Sequence, residues 1–241
     1  MKKIFFILSM IIISFLSLPI LKLIFNIPIS TYLETIKDKE VISSIILTMK
    51  VSFFAVLFIL LTGLPLAYLI ARYEFKGKSL IESIIDIPTM IPHTAAGIAL
   101  LFTFGKIFPI IDTTFGIMLA MMFLSAPYLI NSAKEGFRKV DIKLENSARI
   151  LGANPFWTFL KITIPNARKD IVNGMLLMWA RGLGEFGAVV IIAYHPMVAP
   201  VLIYDRYTSF GLKYSAPVAA VMIIVSIFIF LIIRKINNSI K

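Results

Sequence analysis

The sequence predicts an all-α protein that crosses a lipid bilayer about six times, on the basis of its composition and the spacing of its apolar residues. Of its 241 residues, 59% are hydrophobic and 15% are charged, and the mean hydropathy is +0.92. Soluble domains carry about 25% charged residues. So much apolar surface does not fit inside one soluble core, whereas helices of about 20 apolar residues cross the roughly 30 Å hydrocarbon core of a bilayer.

Six runs have the length and apolar character of spanning helices. Five of them carry no charged residue: residues 4–21, 51–71, 87–105, 113–133 and 214–233. The other, residues 171–194, is apolar except for Arg181 and Glu185. The first run follows two lysines, as a signal peptide does, but it is long for one and no Ala-x-Ala-like site follows it. These features favour a retained helix.

The distribution of basic residues predicts that both termini are cytoplasmic. In that orientation 16 lysines and arginines lie in cytoplasmic segments and 6 in external ones, as the positive-inside rule requires. The formal net charge of +11 is therefore explained by topology, and we expect no nucleic-acid partner. The longest polar connection, residues 134–170, is then cytoplasmic. We interpret residues 1–241 as one transmembrane domain without a soluble regulatory domain.

Several kinds of chemistry are disfavoured by the residues present. There is no cysteine, and the two histidines, His93 and His195, lie far apart in the sequence, so we expect no metal site and no intramembrane enzyme. A secondary transporter would show two related halves, which the sequence lacks. The triplet 77–79 resembles the end of a P-loop, but Arg72 stands where that motif needs glycine. The glycines of residues 182–187 have the spacing of the dinucleotide-binding fingerprint, but they lie in a predicted membrane span and not in the βαβ unit that this motif requires. We therefore expect no ATP site on this chain.

The cytoplasmic connection predicts two helices joined by a tight turn. Leu144, Ala148 and Leu151 recur at helical spacing and give one apolar face. Gly152 is expected to end this first helix. Pro165 is expected to end the second one.

The second helix begins with a capping sequence and two aromatic residues. Asn154 followed by Pro155 is typical of an N-cap with proline in the first turn. Phe156 and Trp157 follow at once. These aromatic side chains either lie at the membrane interface or insert into a groove on a soluble partner, and the residues alone leave both readings open.

Two charged residues lie within the predicted spans. Arg181 and Glu185 are four residues apart and share a helix face. Charges at this depth face a partner or a water-filled cavity. The pair either neutralises itself and fixes helix packing or gate geometry, or supplies a cation near the path of an anion.

The third span opens with two prolines. Pro88 and Pro92 remove backbone donors and are expected to break the helix, which is tolerated where a helix lines a cavity. His93 and Thr94 would then face a pathway. The alternative is that His93 is a hydrogen-bonded packing residue.

The cytoplasmic loop resembles the EAA loop of ABC-importer permeases, which has the pattern Glu-Ala-Ala-x3-Gly-x9-Ile-x-Leu-Pro. The matching residues are Asn146, Ser147, Ala148, Gly152, Ile162, Ile164 and Pro165. Asn146 and Ser147 stand where the family has Glu and Ala, and Glu145 lies one place before the family's carboxylate. Residues 179–188 are similar to a segment of molybdate, tungstate and sulfate permeases. Residues 88–98 and 199–205 look closest to the archaeal-type tungstate/molybdate branch.

This resemblance implies a type I ABC importer permease fold and a transport subunit that is not itself an enzyme. The implied assembly is a homodimer with two ATP-binding subunits, which carry ATP and Mg, and an extracytoplasmic oxyanion-binding protein. A sulfate or amino-acid permease has the same fold and remains an alternative. The residues implied to couple to the ATPase are Asn146, Ser147, Ala148, Gly152, Ala153, Asn154, Pro155, Phe156, Trp157, Ile162 and Pro165. Those implied for the path or gate are Pro88, Pro92, His93, Thr94, Arg181 and Glu185.

Overall fold

The computed structural model describes residues 2–239, with side chains to residue 235. Three residues lie outside the described part: Met1, Ile240 and Lys241. Lys241 is one of the 16 basic residues that the predicted orientation places in cytoplasmic segments. The described part is made of helices and connecting turns, without a β-strand. The α-helices are α1 (Lys2–Phe25), α2 (Ile29–Thr35), α3 (Lys39–Arg72), α4 (Lys78–Met90), α5 (His93–Phe104), α6 (Thr114–Lys139), α7 (Ile142–Ile150), α8 (Pro155–Thr158), α9 (Ile164–Leu183), α10 (Val189–Ile192), α11 (Ala199–Phe210) and α12 (Leu212–Ser239).

The helices correspond closely to the predicted spans. Within residues 2–239, four helices are long and apolar enough to cross a membrane: α1, α3, α6 and α12. If the bent pair α4 and α5 is counted as one span, there are five. The remaining predicted span corresponds to α9, which is 20 residues long but contains Arg168, Lys169, Asp170 and Arg181. The all-α, multi-spanning fold class is thereby confirmed.

The predicted break in the third span is confirmed at Pro92 but is wrong at Pro88. Helices α4 and α5 meet at an angle of 116° across a break at Ile91 and Pro92. Pro92 is the N-cap residue of α5, where its missing N–H costs no helical hydrogen bond. Pro88, by contrast, lies inside α4 and is buried.

The predicted fifth span, residues 171–194, is wrong as a continuous helix. Helix α9 begins earlier, at Ile164, and stops at Leu183, and a turn at residues 184–188 leads into the short α10. The turn has a tertiary cause, because the α5 backbone passes directly against it. A Cβ on Gly187 would lie 2.7 Å from the Cβ of His93, and one on Gly97 would lie 2.9 Å from the Ala188 carbonyl oxygen.

The expectation that Pro165 ends the second helix of the loop is also wrong. Helix α8 runs through a π-helical turn, Phe159–Thr163, into α9, and Pro165 lies in the first turn of α9. The wider π turn changes the hydrogen-bond register just before the proline, where no N–H is available. The Asn166 side chain donates to the Ile162 carbonyl at 2.6 Å, one turn earlier in the chain.

The packed core is centred on α6, which lies mainly against α3 and α9. One apolar cluster fills the middle of this bundle, and a smaller one around Leu64, Ala133 and Phe137 lies towards the cytoplasmic loop. Helix α1 buries none of its residues and touches the rest of the chain mainly at α12. Its apolar side chains are therefore available to lipid.

Candidate functional site

The loop that was predicted to be cytoplasmic, residues 134–170, folds as the sequence predicts in its first half and at its turn. Helix α7 is capped by Asp141, whose carboxylate accepts from the Lys143 N–H at 2.9 Å. The chain then reverses at Gly152, which has φ +91°, a conformation that glycine adopts without strain. The Asn154 side chain caps α8 by accepting from the Trp157 N–H at 2.8 Å.

Four large apolar side chains at this turn face away from the rest of the chain. They form what we call the docking tip: Ile150, Leu151, Phe156 and Trp157, which are 86%, 87%, 65% and 51% exposed. Leu144 and Leu151, two of the three residues of the predicted apolar face, are exposed rather than packed on the bundle. Clustered exposed apolar side chains of this kind are typical of a contact surface for protein or membrane.

The other residues implied for coupling lie around the docking tip. Asn146, Ser147, Gly152, Asn154, Pro155 and Pro165 are exposed, whereas Ala148, Ala153 and Ile162 are half-buried. Helix α7, helix α8 and the π-helical turn, which carry most of these residues, contact one another, whereas Pro165 lies in α9. No partner contact is needed to hold the turn, because its caps are satisfied internally.

Glu145 anchors the loop and was not among the residues predicted from the sequence. It is 1% exposed. Its Oε1 accepts from Arg72 Nη2 at 2.7 Å, Arg72 Nε at 2.9 Å and the Thr163 hydroxyl at 3.0 Å. Its Oε2 accepts from the Tyr68 hydroxyl at 2.9 Å, and Arg149 Nη2 lies 3.8 Å from the same oxygen. The only sequence signal was a carboxylate one place before the family's position.

An aromatic cluster supports this anchor from the membrane side. The Tyr68 ring lies 4.8 Å from that of Phe159 and 5.7 Å from that of Phe137, centroid to centroid. The Phe137 and Phe159 rings are 5.8 Å apart. Because such pairs contribute beyond simple area burial, the base of the loop is packed as a core, unlike its tip.

A second cluster brings together three of the six residues implied for the path or gate. Arg181 Nη1 lies 3.0 Å from Glu185 Oε2, and Arg181 Nη2 lies 2.6 Å from His93 Nε2. His93 Nδ1 lies 3.2 Å from Glu185 Oε2. Arginine only donates, so an imidazole nitrogen must be the acceptor for Arg181 Nη2, which lies within 3.0 Å of both ring nitrogens.

Glu185 is the buried member of this cluster. Its carboxylate is 1% exposed, whereas the side chains of Arg181 and His93 are 23% and 39% exposed. Oε1 accepts from the Ala188 N–H at 3.0 Å. Oε2 has no aligned hydrogen bond among the described residues, although Arg181 Nη1 and His93 Nδ1 lie 3.0 and 3.2 Å from it. The Arg181 guanidinium therefore supplies the counter-charge for this buried oxygen.

The other residues implied for the path lie near this cluster or behind it. Thr94, next to His93 at the start of α5, is exposed. Pro92 starts the helix, and Pro88 packs on the bundle. Within the described residues no three His, Cys, Asp or Glu side chains gather as metal ligands.

A third charged cluster joins α11 to the start of α3. Arg206 Nη2 lies 2.6 Å from Asp38 Oδ2 and 2.9 Å from Glu40 Oε2. Burial alone raises the pKa of the Asp38 carboxyl. The hydrogen bonds from Arg206 and the Glu40 N–H, with the guanidinium charge, outweigh burial and lower that pKa. The carboxylate therefore stays ionised at neutral pH and ties the two helices together.

The overall fold is shared with known transport proteins. The chain superposes on the permease of a bacterial ABC transporter for alginate with a TM-score of 0.76 at 18% identity, covering 98% of this chain and 94% of that one. A molybdate/tungstate transport system permease protein of Pyrococcus abyssi is 43% identical over 83% of this chain and 80% of its own length.

A more distant relative and a family description agree with this. A probable sulfate transport system permease protein of Prototheca wickerhamii is 34% identical over 84% of this chain and 85% of its own. Residues 63–240 match the family described as "Binding-protein-dependent transport system inner membrane component". That stretch runs from the middle of α3 past the loop, the His93 cluster and α12, so the chain belongs to this family of membrane components of binding-protein-dependent transport systems.

Proposed function

We propose that this chain is the permease subunit of an ATP-driven importer that carries tungstate and molybdate into the cell by alternating access. The observation that carries this proposal is the 43% identity, over 83% of the chain, to a permease named for these two anions. The chain supplies the membrane path. ATP and Mg are bound by a separate ATP-binding subunit, and this chain needs no cofactor of its own.

The docking tip is the surface through which we propose that the ATP-binding subunit acts. Two copies of that subunit would bind two copies of this chain, one at each tip. Support comes from exposed aromatic residues in the segment richest in basic residues, which the positive-inside rule assigns to the cytoplasm. Burial of Phe156 and Trp157 in a groove removes apolar surface from water and provides the attachment.

The His93 cluster is proposed to act as part of the gate. In the arrangement described, Glu185 neutralises Arg181, so the pair does not hold an anion tightly. The imidazole of His93 and the guanidinium of Arg181 are partly exposed. A passing anion would compete with Glu185 for Arg181 there and would leave again easily, as transport requires. An extracytoplasmic oxyanion-binding protein would deliver the anion.

Sulfate is the second candidate substrate. The observation that favours it is the 34% identity to a permease named for sulfate. The three tetrahedral dianions present the same charge, so a path of mild positive potential attracts all of them. The higher identity to the molybdate/tungstate relative ranks sulfate second.

The test is ATP-dependent uptake by vesicles that contain this chain, its ATP-binding subunit and its anion-binding protein. Tungstate, molybdate and sulfate are supplied at equal low concentration. We expect tungstate and molybdate to be taken up in preference to sulfate. Uptake without any dependence on ATP contradicts the importer, whereas ATP-driven uptake of sulfate alone keeps the importer and changes its substrate.

The role of the docking tip is tested in the same vesicles. We expect the double variant F156A/W157A to lose both co-purification of the ATP-binding subunit and uptake. The matched control is Phe15→Ala, which removes a ring that is 70% exposed on α1, on the lipid side of the molecule. Normal co-purification by F156A/W157A would contradict docking at this tip.

A further inference from the structure

Helix α7 is attached to the rest of the protein through a buried charged side chain and not through buried apolar ones. Glu145 is its one buried residue. Its apolar side chains Ile142, Leu144 and Ile150 are 52%, 47% and 86% exposed. The helix packs mainly on the π-helical turn and on α8, its neighbours in the loop. An apolar core therefore does not fasten α7 to the membrane helices, and the Glu145 carboxylate is left as its buried attachment.

That attachment reaches two membrane helices at once. On one side it joins α7 to the end of α3, through Arg72 and Tyr68. On the other it joins α7 to the π-helical turn that leads into α9, through Thr163. Both α3 and α9 pack on α6, so these contacts connect the loop to the whole bundle.

The contacts are of a kind that transmits displacement. Arg72 and Glu145 side chains are 9% and 2% exposed, and charge-assisted hydrogen bonds at such sites are short and strongly directional. The same Arg72 guanidinium also donates to the Val140 carbonyl at 2.8 Å. One side chain thus fixes both the beginning of the loop and its first helix.

We propose that Glu145 is the positioning residue that transmits movement of the docking tip to α3 and α9. The inference rests on the proposed function, since it takes the docking tip to be where the ATP-binding subunit acts. A force on α7 reaches the bundle through the carboxylate and pulls on two helices together. Without it, α7 moves on its flanking turns while α3 and α9 stay in place.

The experiment uses two variants of the assembled transporter, Glu145→Gln and the double variant R72Q/E145Q. The single variant leaves Arg72 buried without its counter-charge, which destabilises a fold. The double variant removes both charges and with them that penalty. The matched control is Glu135→Gln, because Glu135 pairs with Arg138 on the same side of the molecule but is 53% exposed.

Three quantities are measured: co-purification of the ATP-binding subunit, ATP hydrolysis stimulated by the anion-loaded binding protein, and anion uptake. We expect both Glu145 variants to co-purify normally but to lose stimulation. Uptake should fall about tenfold or more, within the range of about 5- to 150-fold typical of coupling between sites. The control should stay within about twofold of the unaltered protein, as exposed ion pairs contribute little.

The outcomes separate transmission from simple stability. If R72Q/E145Q recovers uptake together with stability, the carboxylate is only structural and the proposal is overturned. It is overturned as well if Glu145→Gln transports normally, or if both variants lose the ATP-binding subunit, since Glu145 would then shape the tip itself. Failure of the unaltered chain to bind an ATP-binding subunit would instead contradict the proposed function, and this inference with it.

Discussion

At the scale of single residues, Glu185 shows how a charge is kept inside a membrane protein. Its partner Arg181 was predictable from the four-residue spacing, although the two do not share a helix as predicted, because α9 ends at Leu183 and Glu185 lies in the turn that follows. His93, the third member of the cluster, is 88 positions away from Arg181 in sequence, and only the packing of α5 brings it there. Local periodicity carries no information about such a contact.

Glu185→Gln is predicted to impair transport more than assembly. Glutamine keeps the size and the acceptor for the Ala188 N–H but removes the charge that neutralises Arg181. The partly exposed guanidinium can then be hydrated from its open side, so the fold survives while the gate loses its counter-charge. Anion uptake and co-purification of the ATP-binding subunit measure the two effects.

The control for that variant is Glu74→Gln, which removes a carboxylate that is 89% exposed and pairs with Lys78. It should leave both uptake and assembly close to normal. Unimpaired uptake by Glu185→Gln, with the complex intact, would show that the buried charge has no part in transport.

At the scale of elements, prolines and glycines proved predictable where their effect is local. The break at Pro92 and the turn at Gly152 follow from backbone conformations that these residues impose themselves. The end of α9 at Leu183 could not be predicted from local sequence, because it depends on α5, which occupies the space beyond. The continuation of the helix past Pro165 could not be predicted either, because it depends on a π turn. Glu145 was missed for the same reason, since its partner Arg72 lies 73 positions away.

The close approach of α5 to the turn after α9 predicts a difference between two neighbouring glycines. Gly187→Ala would bring a Cβ within 2.7 Å of the His93 Cβ, and overpacking of this kind typically costs about 1–3 kcal/mol. The matched variant Gly184→Ala meets no atom within 4 Å and needs no positive φ. We expect the thermal unfolding midpoint in detergent to fall for Gly187→Ala and to stay nearly unchanged for Gly184→Ala. Equal midpoints for the two variants would contradict the packing described.

At the scale of the whole molecule, hydropathy predicted the fold class and the existence of the spans, since a bilayer demands long apolar helices. It could not predict how the helices pack, which depends on contacts between distant segments. The family resemblance supplied the overall arrangement, and in the structure most of the residues that it implies for coupling lie on α7, on α8 or in the exposed turn between them.

The predicted orientation can be tested directly because the chain contains no cysteine. A single introduced cysteine is therefore the only target for a membrane-impermeant maleimide. Ser147→Cys lies in the loop and Ser209→Cys near the end of α11, and both positions are exposed. With cytoplasmic termini, intact cells should label only Ser209→Cys, and inverted vesicles only Ser147→Cys. The reverse pattern would invert the topology.

The isolation of α1 has a consequence for how the bilayer acts on this protein. Its 24 residues make a rod of about 36 Å, a little longer than the roughly 30 Å hydrocarbon core. Near its C-terminal end the Tyr32 hydroxyl donates to the Ile24 carbonyl at 2.8 Å, so α1 is tied to α2 at that end. A rod held at one end and surrounded by lipid relieves hydrophobic mismatch by tilting. A change in membrane thickness is therefore accommodated by tilting of α1, whose contacts with α12 are few, while the bundle around α6 keeps the geometry that its own packing dictates.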